Sequence, residues 1–177
     1  MKTTGVTVWF TGLPCCGKTT IADQVAFRLQ QKGYRVERLD GDIVRKGFTS
    51  DLGFSKKDRD ENIRRVTAVA KDRTRLNFIV LASFVSPYRK QRRNARKEIG
   101  AFIEVYVRCP REICMQRDVK GMYQKALEGK ISHFTGMDDP YEEPEHPDLI
   151  VDTDKETVDI SVRNVMKKLQ DLGYILP

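Results

Sequence analysis

The sequence predicts a three-layer α/β fold: a mainly parallel five-stranded sheet, helices on both faces, and a lid segment. Three observations point to it. Short β-rich apolar runs recur at residues 6–10, 35–39, 78–83, 102–107 and 149–151, each separated from the next by helix-like sequence. The first, third and fourth runs are almost continuously apolar, as strands covered on both faces must be, and are expected in the centre of the sheet. A glycine-rich loop, GLPCCGKTT at residues 12–20, follows the first run directly and opens a helical stretch.

The helical elements carry their own start and stop signals. The first is expected over residues 18–32, stopped by Gly33. Ser55 with Asp58 forms a capping box that opens a second helix running toward Leu76. Near the C-terminus, Asp154 is expected to cap a helix whose Val158, Val162, Val165, Leu169 and Leu172 share one buried face, ended by Gly173. The stretch from Lys120 to Pro147 differs in kind. It holds Gly121, Gly129, Gly136, Pro140, Pro144 and Pro147 among many charges, and reads as a mobile lid and wrapping loop.

Length and composition bound the function. At 177 residues the chain is expected to form one domain, spanning 1–177. Hydrophobic residues make up 40% and charged residues 32%, and no apolar run approaches the ~20 residues of a membrane span, so no membrane partner is expected. The opening MKTTGVTVWF leads straight into the first strand without the pattern of a signal peptide, and a cytoplasmic location is expected. The net charge of +7 favours anionic partners, with the densest basic group, RKQRRNAR, at residues 89–96. No zinc-finger, RNA-recognition or basic-zipper pattern accompanies it, which ranks small phosphorylated ligands ahead of nucleic acid. The four cysteines, Cys15, Cys16, Cys109 and Cys114, form no CxxC pair, and the histidines are His133 and His146 alone. Structural zinc and a His-rich catalytic metal are disfavoured, and reduced thiols are expected.

Within the glycine-rich loop, Gly12, Gly17, Lys18 and Thr19 fit the phosphate-loop pattern G-x-x-x-x-G-K-[ST], with the strand before and the helix after that it requires. The backbone of Gly12, Leu13, Pro14, Cys15, Cys16, Gly17, Lys18, Thr19 and Thr20 is expected to cradle the phosphates of ATP. Lys18 would reach the β and γ phosphates, and Thr19 would ligate Mg2+. Cys15 and Cys16 read as small fillers. Their place near a helix N-terminus predicts lowered thiol pKa values, and with them a route by which oxidation or alkylation blocks ATP.

A phosphate loop alone serves many enzymes. The chain lacks the N-K-x-D of guanine recognition, which disfavours a switch GTPase. Its third strand ends in Ala82 and Ser83, where many ATPases carry a metal-positioning Asp, so another carboxylate must assist Mg2+ or organise the acceptor. Asp40 and Asp42, in LDGDIVR, lie at the C-terminal end of the second strand, where α/β folds place ligands. One could accept the proton of an attacking hydroxyl while the other holds a metal-bound water; the alternative is ordinary D-G-D turn chemistry. The following run, DLGFSKKDRDENIRR, supplies Phe54, Arg59, Asn62, Arg64 and Arg65 for anion and base recognition, against the alternative of a solvated charged helix.

Six blocks in order, GLPCCGKTT, LDGDIVR, DLGFSKKDRDENIRR, SFVSPYR, RDVKGMYQKA and FTGMDDPYEEP, resemble the adenylylsulfate kinases over Gly5 to about Ile150. The resemblance implies a phosphate-loop kinase that transfers the γ-phosphate of Mg-ATP to the 3'-hydroxyl of adenosine 5'-phosphosulfate. It implies that Phe54 and Phe134 sandwich the acceptor adenine, and that Arg45, Arg59 and Asn62 hold its phosphosulfate and ribose, with Lys120 near the same anion. It further implies that Asp42 activates the hydroxyl, Asp40 supports it near the metal, and Arg117 packs on the ATP adenine with Asp118 beside it. Ser86 matches a serine described in the family as a phosphoserine intermediate; with no base placed to activate it, a hydrogen bond to the acceptor or its loop is the simpler role. A homodimer and functional coupling to ATP sulfurylase follow from the same resemblance.

The chain departs from the family pattern at Ile43 and Lys46, where Asn and His are usual, which removes any hydrogen bond from that Asn. Two other functions fit the residues less well: a kinase of another small acceptor, and a non-catalytic nucleotide-binding regulator of sulfate activation.

Overall fold

The computed structural model describes residues 4–53 and 55–176. Strands β1 (Val6–Thr11), β2 (Val36–Asp40), β3 (Ile79–Ser83), β4 (Phe102–Arg108) and β5 (Leu149–Asp152) form one sheet in the order β2-β3-β1-β4-β5, and every pairing is parallel. β1, β3 and β4 are central, as their almost continuously apolar character predicts. The edge strands β2 and β5 are only partly buried.

Alternation along each strand divides the core into two layers. Val6, Val8 and Phe10 of β1 turn to one face, with Ile79, Leu81, Ile103, Val105 and Val107 of the neighbouring strands. There they meet helix α1 (Lys18–Gln31), through Ile21, Val25 and Leu29, and the C-terminal helix α7 (Val158–Asp171), through Val162, Val165 and Leu169. Trp9 turns to the opposite face, with Val80 and Ala82. Helices α3 (Lys56–Arg75) and α4 (Arg89–Ile99) cover that face through Ile63, Val66, Ala70 and Ala95.

Three short helices sit at the C-terminal rim of the sheet: α2 (Gly41–Lys46), α5 (Arg111–Arg117) and α6 (Met122–Leu127). No helical period marks α2, whose first turn is capped by the Asp40 carboxylate. The expected lid therefore contains a helix, α6, followed by a long loop. Among the described residues no helix is long and apolar enough to cross a membrane.

The Ser55 cap forms as expected: its hydroxyl accepts from the Asp58 amide at 3.1 Å and donates to the Asp58 carboxylate at 2.7 Å. The C-terminal helix corrects the sequence reading. Thr157, not Asp154, is the N-cap, accepting from the Ile160 amide at 3.4 Å, because residues 153–156 turn after β5 before the helix begins. The buried face is also shorter than the apolar spacing suggests, since Val158 and Leu172 at the two ends are 44% and 49% exposed. The basic run at residues 89–96 forms α4, and it is not all solvent-facing: Arg92 is 2% exposed. Replacing Thr157 with Ala should lower unfolding free energy by about 1 kcal/mol in urea titration. Asp154→Ala should change it by less than about 0.5 kcal/mol.

Candidate active site

The phosphate loop leaves β1 at Gly12, where only glycine fits: a Cβ there would lie 2.4 Å from the Val107 carbonyl oxygen and 2.8 Å from Cys16 Sγ. Cys15 takes a left-handed backbone at φ 62°, unusual for a side-chain-bearing residue. Gly17 (φ 104°) caps α1 with no side-chain hydrogen bond and no acidic residue in the first turn. The first amides of this 14-residue helix, with its positive dipole end, form an anion site of the kind a phosphate loop provides.

Lys18 curls over the loop, its Nζ donating to the carbonyls of Gly12 at 2.9 Å and Leu13 at 2.7 Å and lying 3.6 Å from Cys16 Sγ. Three residues not foreseen as site residues brace the loop from outside. Thr153, just past β5, donates to the Cys16 carbonyl at 2.7 Å, and Tyr123 of α6 donates to the Pro14 carbonyl at 3.1 Å. Gly136 passes so close that a Cβ there would be 2.9 Å from Leu13 Cδ2. Arg117 donates to Thr153 Oγ1 at 3.1 Å and to its carbonyl at 2.6 Å, which holds its guanidinium beside the phosphate loop. Asp118 accepts instead from the amides of Tyr123 and Gln124, both at 3.0 Å, and so starts α6.

The other half of the candidate site begins where β2 ends. Asp40, 5% exposed, accepts from Thr19 Oγ1 at 2.7 Å with Oδ2 and from the Asp42 amide at 3.0 Å with Oδ1. One carboxylate thus ties the donor helix to the turn that presents Asp42. Asp42 is exposed and pairs with Lys120 of the lid segment. The resemblance placed Lys120 with the acceptor's anion; the structure joins it to Asp42.

Arg45 reaches back from α2 to the carbonyls of Gly53 at 3.0 Å and Leu52 at 3.4 Å. Burial, and then the neighbouring Arg59, pull the Arg45 guanidinium below its ordinary pKa, while Asp58 and Asp42 oppose that shift. Arg59 donates to Thr135 Oγ1 and to the His133 carbonyl, and pairs with Asp139 at 3.2 Å, so α3 and the lid loop meet at this side chain. Asn62 lies one turn further along α3, 5% exposed, and its Oδ1 is the buried side-chain polar atom left without a hydrogen bond among the described residues. Phe134 is half-buried and meets Tyr123 edge-on, with centroids 4.9 Å apart and planes at 87°. Phe54, its expected partner across the adenine, lies outside the described residues.

Two expectations look different in three dimensions. Ser86 is 2% exposed, with Oγ accepting from Trp9 Nε1 at 3.0 Å and donating to Thr11 Oγ1 at 3.1 Å. Its hydroxyl is engaged inside the protein, behind the rim. The lowered thiol pKa expected in the phosphate loop is reversed at Cys16: burial pushes this thiol up and outweighs the pull of Lys18. In the folded protein an alkylating reagent at neutral pH should therefore label half-exposed Cys15 before Cys16, Cys109 or Cys114, as read by peptide mass mapping. Equal labelling of Cys16 and Cys15 would contradict this order.

Comparison with known proteins agrees with this geometry. The family model described as Adenylylsulphate kinase matches residues 4–152. An adenylyl-sulfate kinase of Halothermothrix orenii is 60% identical over 171 residues, 97% of this chain and 92% of that protein. One from Picosynechococcus sp. is 54% identical over 177 residues, 100% of both. Among solved structures, the Mycobacterium tuberculosis APS kinase CysC in complex with AMPPNP and APS has a TM-score of 0.90 at 41% identity, covering 94% of this chain and 98% of that one. A phosphate loop bound through one buried carboxylate to the Asp42 turn, in a chain that matches these proteins almost end to end, places the protein in the adenylylsulphate kinase family.

Proposed function

We propose that this chain phosphorylates the 3'-hydroxyl of adenosine 5'-phosphosulfate with ATP, giving 3'-phosphoadenylylsulfate and ADP. The observation that carries the reading is the double bond-making of Asp40, which brings the donor loop and the Asp42 turn into contact. In this reading the backbone N–H groups of residues 12–20, Pro14 excepted, and Lys18 hold the ATP phosphates, and Arg117 lies against the adenine. Arg45, Arg59 and Asn62 hold the acceptor's charged and ribose groups. Phe54 and Phe134 stack its base, an interaction worth ~1–3 kcal/mol per base on alanine substitution.

Asp42 takes the proton of the 3'-hydroxyl as that oxygen attacks in line. Lys120 then has two roles in one site. It fixes the Asp42 carboxylate, and through an exposed pair that is cheap to open it can swing to the acceptor's anion. The burial of Ser86 and the engagement of its hydroxyl favour direct transfer over a phosphoserine step.

Mg2+ fits the residues present. Thr19 Oγ1 and Asp40 Oδ2 are hard oxygen donors 2.7 Å apart beside the phosphate loop, suited to a cation that keeps most of its waters and is shared with phosphates. These two would hold it, Asp40 through water, and it would neutralise charge on the β and γ phosphates. The wider proposal, from the family resemblance, is one kinase domain over residues 1–177, working in the cytoplasm as a homodimer coupled to ATP sulfurylase, without nucleic acid.

A steady-state assay of ADP formation with adenylylsulfate against AMP tests the substrate: strong preference for adenylylsulfate is expected, and equal turnover of AMP would overturn the reading. Asp42→Ala should lower kcat by about 100-fold or more with the KM for ATP little changed. Asn62→Leu separates function from folding. It should raise the KM for adenylylsulfate several-fold while thermal stability holds or rises, because an unpaired buried oxygen costs ~1–3 kcal/mol in the folded state.

A further inference from the structure

A buried network lies behind the rim, and no residue of the transfer chemistry accounts for it. Arg92 of α4, 2% exposed, donates to Glu104 of β4 at 2.8 Å, to the Ser86 carbonyl at 2.6 Å and to the Glu142 carbonyl at 2.5 Å. A buried guanidinium is tolerated only when its donors are matched in this way. It therefore fixes the relative position of the segments it bridges: helix α4, strand β4, the loop after β3, and the far arm of the lid segment. The same guanidinium lies 5.6 Å from the ring centroid of Tyr141, whose other neighbour is the Tyr106 ring at 6.1 Å.

The Tyr141 hydroxyl is 2.9 Å from Thr11 Oγ1, and the direction of this bond follows from its neighbours. Thr11 gives its one hydroxyl proton to the Val85 carbonyl at 2.8 Å, so toward Tyr141 it can only accept. Trp9 Nε1 is a donor only, so Ser86 accepts from it and shares its own single proton between Thr11 Oγ1 at 3.1 Å and the Phe84 carbonyl at 3.3 Å. Thr11 Oγ1, its own proton committed to Val85, accepts from Tyr141. Thr11 is the last residue of β1, immediately before Gly12. Two residues before Tyr141 on the same arm, Asp139 pairs with Arg59 at 3.2 Å and accepts from Tyr88 Oη at 3.1 Å. Three residues of chain, 139–141, thus connect an acceptor-side arginine to the entrance of the donor loop.

We propose that Tyr141, held in place by Arg92, is a positioning residue for phosphoryl transfer: its hydroxyl sets the register between the acceptor-side arm and the phosphate loop, and so the in-line distance between the two substrates. The role rests on the transfer reaction proposed above. Misplacement of reacting groups by a fraction of a bond length slows chemistry more than it weakens binding. Loosening the Tyr141 bond should therefore reduce turnover with adenylylsulfate while ATP still binds, and should let more ATP be lost to water.

The test compares the full wild-type chain with Tyr141→Phe, which keeps the ring against Arg92 and Tyr106 and removes only the hydroxyl. Three quantities are read: melting temperature, kcat and KM for both substrates, and the ratio of acceptor-independent ADP release to 3'-phosphorylated product. The expected result is a kcat lower by about tenfold, a KM for ATP within about twofold of wild type, and a raised ratio. Thr11→Ser, which keeps the acceptor oxygen, should retain the wild-type ratio. Thr11→Val should raise it, and Tyr141→Phe added to Thr11→Val should raise it no further. A Tyr141→Phe enzyme with wild-type kcat and ratio overturns the role, as does full additivity of the two variants. A wild-type chain that forms no 3'-phosphorylated product overturns the proposed function and this role with it.

Discussion

Everything in the site depends on the two oxygens of Asp40. One accepts from Thr19 at the start of α1, the other from the amide of Asp42 at the start of α2. The bonds are possible because the parallel register brings strand ends to one level: Phe10 lies opposite Ser83, and Asp40 lies opposite the same Ser83. The third strand carries no acid at its tip, and the neighbouring strand provides it at the matching height. Being buried, this carboxylate must have its lone pairs satisfied, and its two hydrogen bonds, with the Arg38 guanidinium 3.6 Å from Oδ2, make it a spacer between the two helix starts.

The lid segment adds the second constraint. Tyr123 and Gly136 rest on Pro14 and Leu13 of the donor loop, while Thr135 and Asp139 meet Arg59 and Lys120 meets Asp42 on the acceptor side. A single segment therefore touches both halves of the site. The contacts differ in strength. The Tyr123 and Tyr141 hydroxyls are largely shielded, whereas the Lys120 to Asp42 pair has both side chains about 60% exposed. Exposed pairs hold little free energy, commonly under ~1 kcal/mol, so the contact at the mouth of the site is the weaker tie and the shielded contacts behind it are the stronger.

Much of this was legible in the sequence, and the limit has a physical form. Strand runs, the phosphate loop and the Ser55 cap are encoded within a few residues of one another, and all three appear in the fold within a residue of expectation. Asp40 and Asp42 were recognisable as rim carboxylates from their place after a strand. Features set by distant partners were not readable. Thr11 and Tyr141 are 130 positions apart, and Thr153 and Cys16 are 137 apart. Charge type alone does not reveal burial: Arg92 within a basic run is core, and the thiol of Cys16 at a helix start is governed by burial rather than by the dipole. At the last helix, Asp154 and Thr157 are both good caps by type, and only the length of the turn after β5 decides between them.

If one carboxylate couples donor and acceptor, the kinetics of Asp40→Asn, which keeps shape and removes charge, must register its loss. Its kcat with adenylylsulfate should fall by at least about tenfold, equivalent to ~1.4 kcal/mol of barrier, and the Mg2+ concentration for half-maximal rate should rise while the melting temperature stays close to wild type. Wild-type kcat and an unchanged Mg2+ requirement would contradict the account.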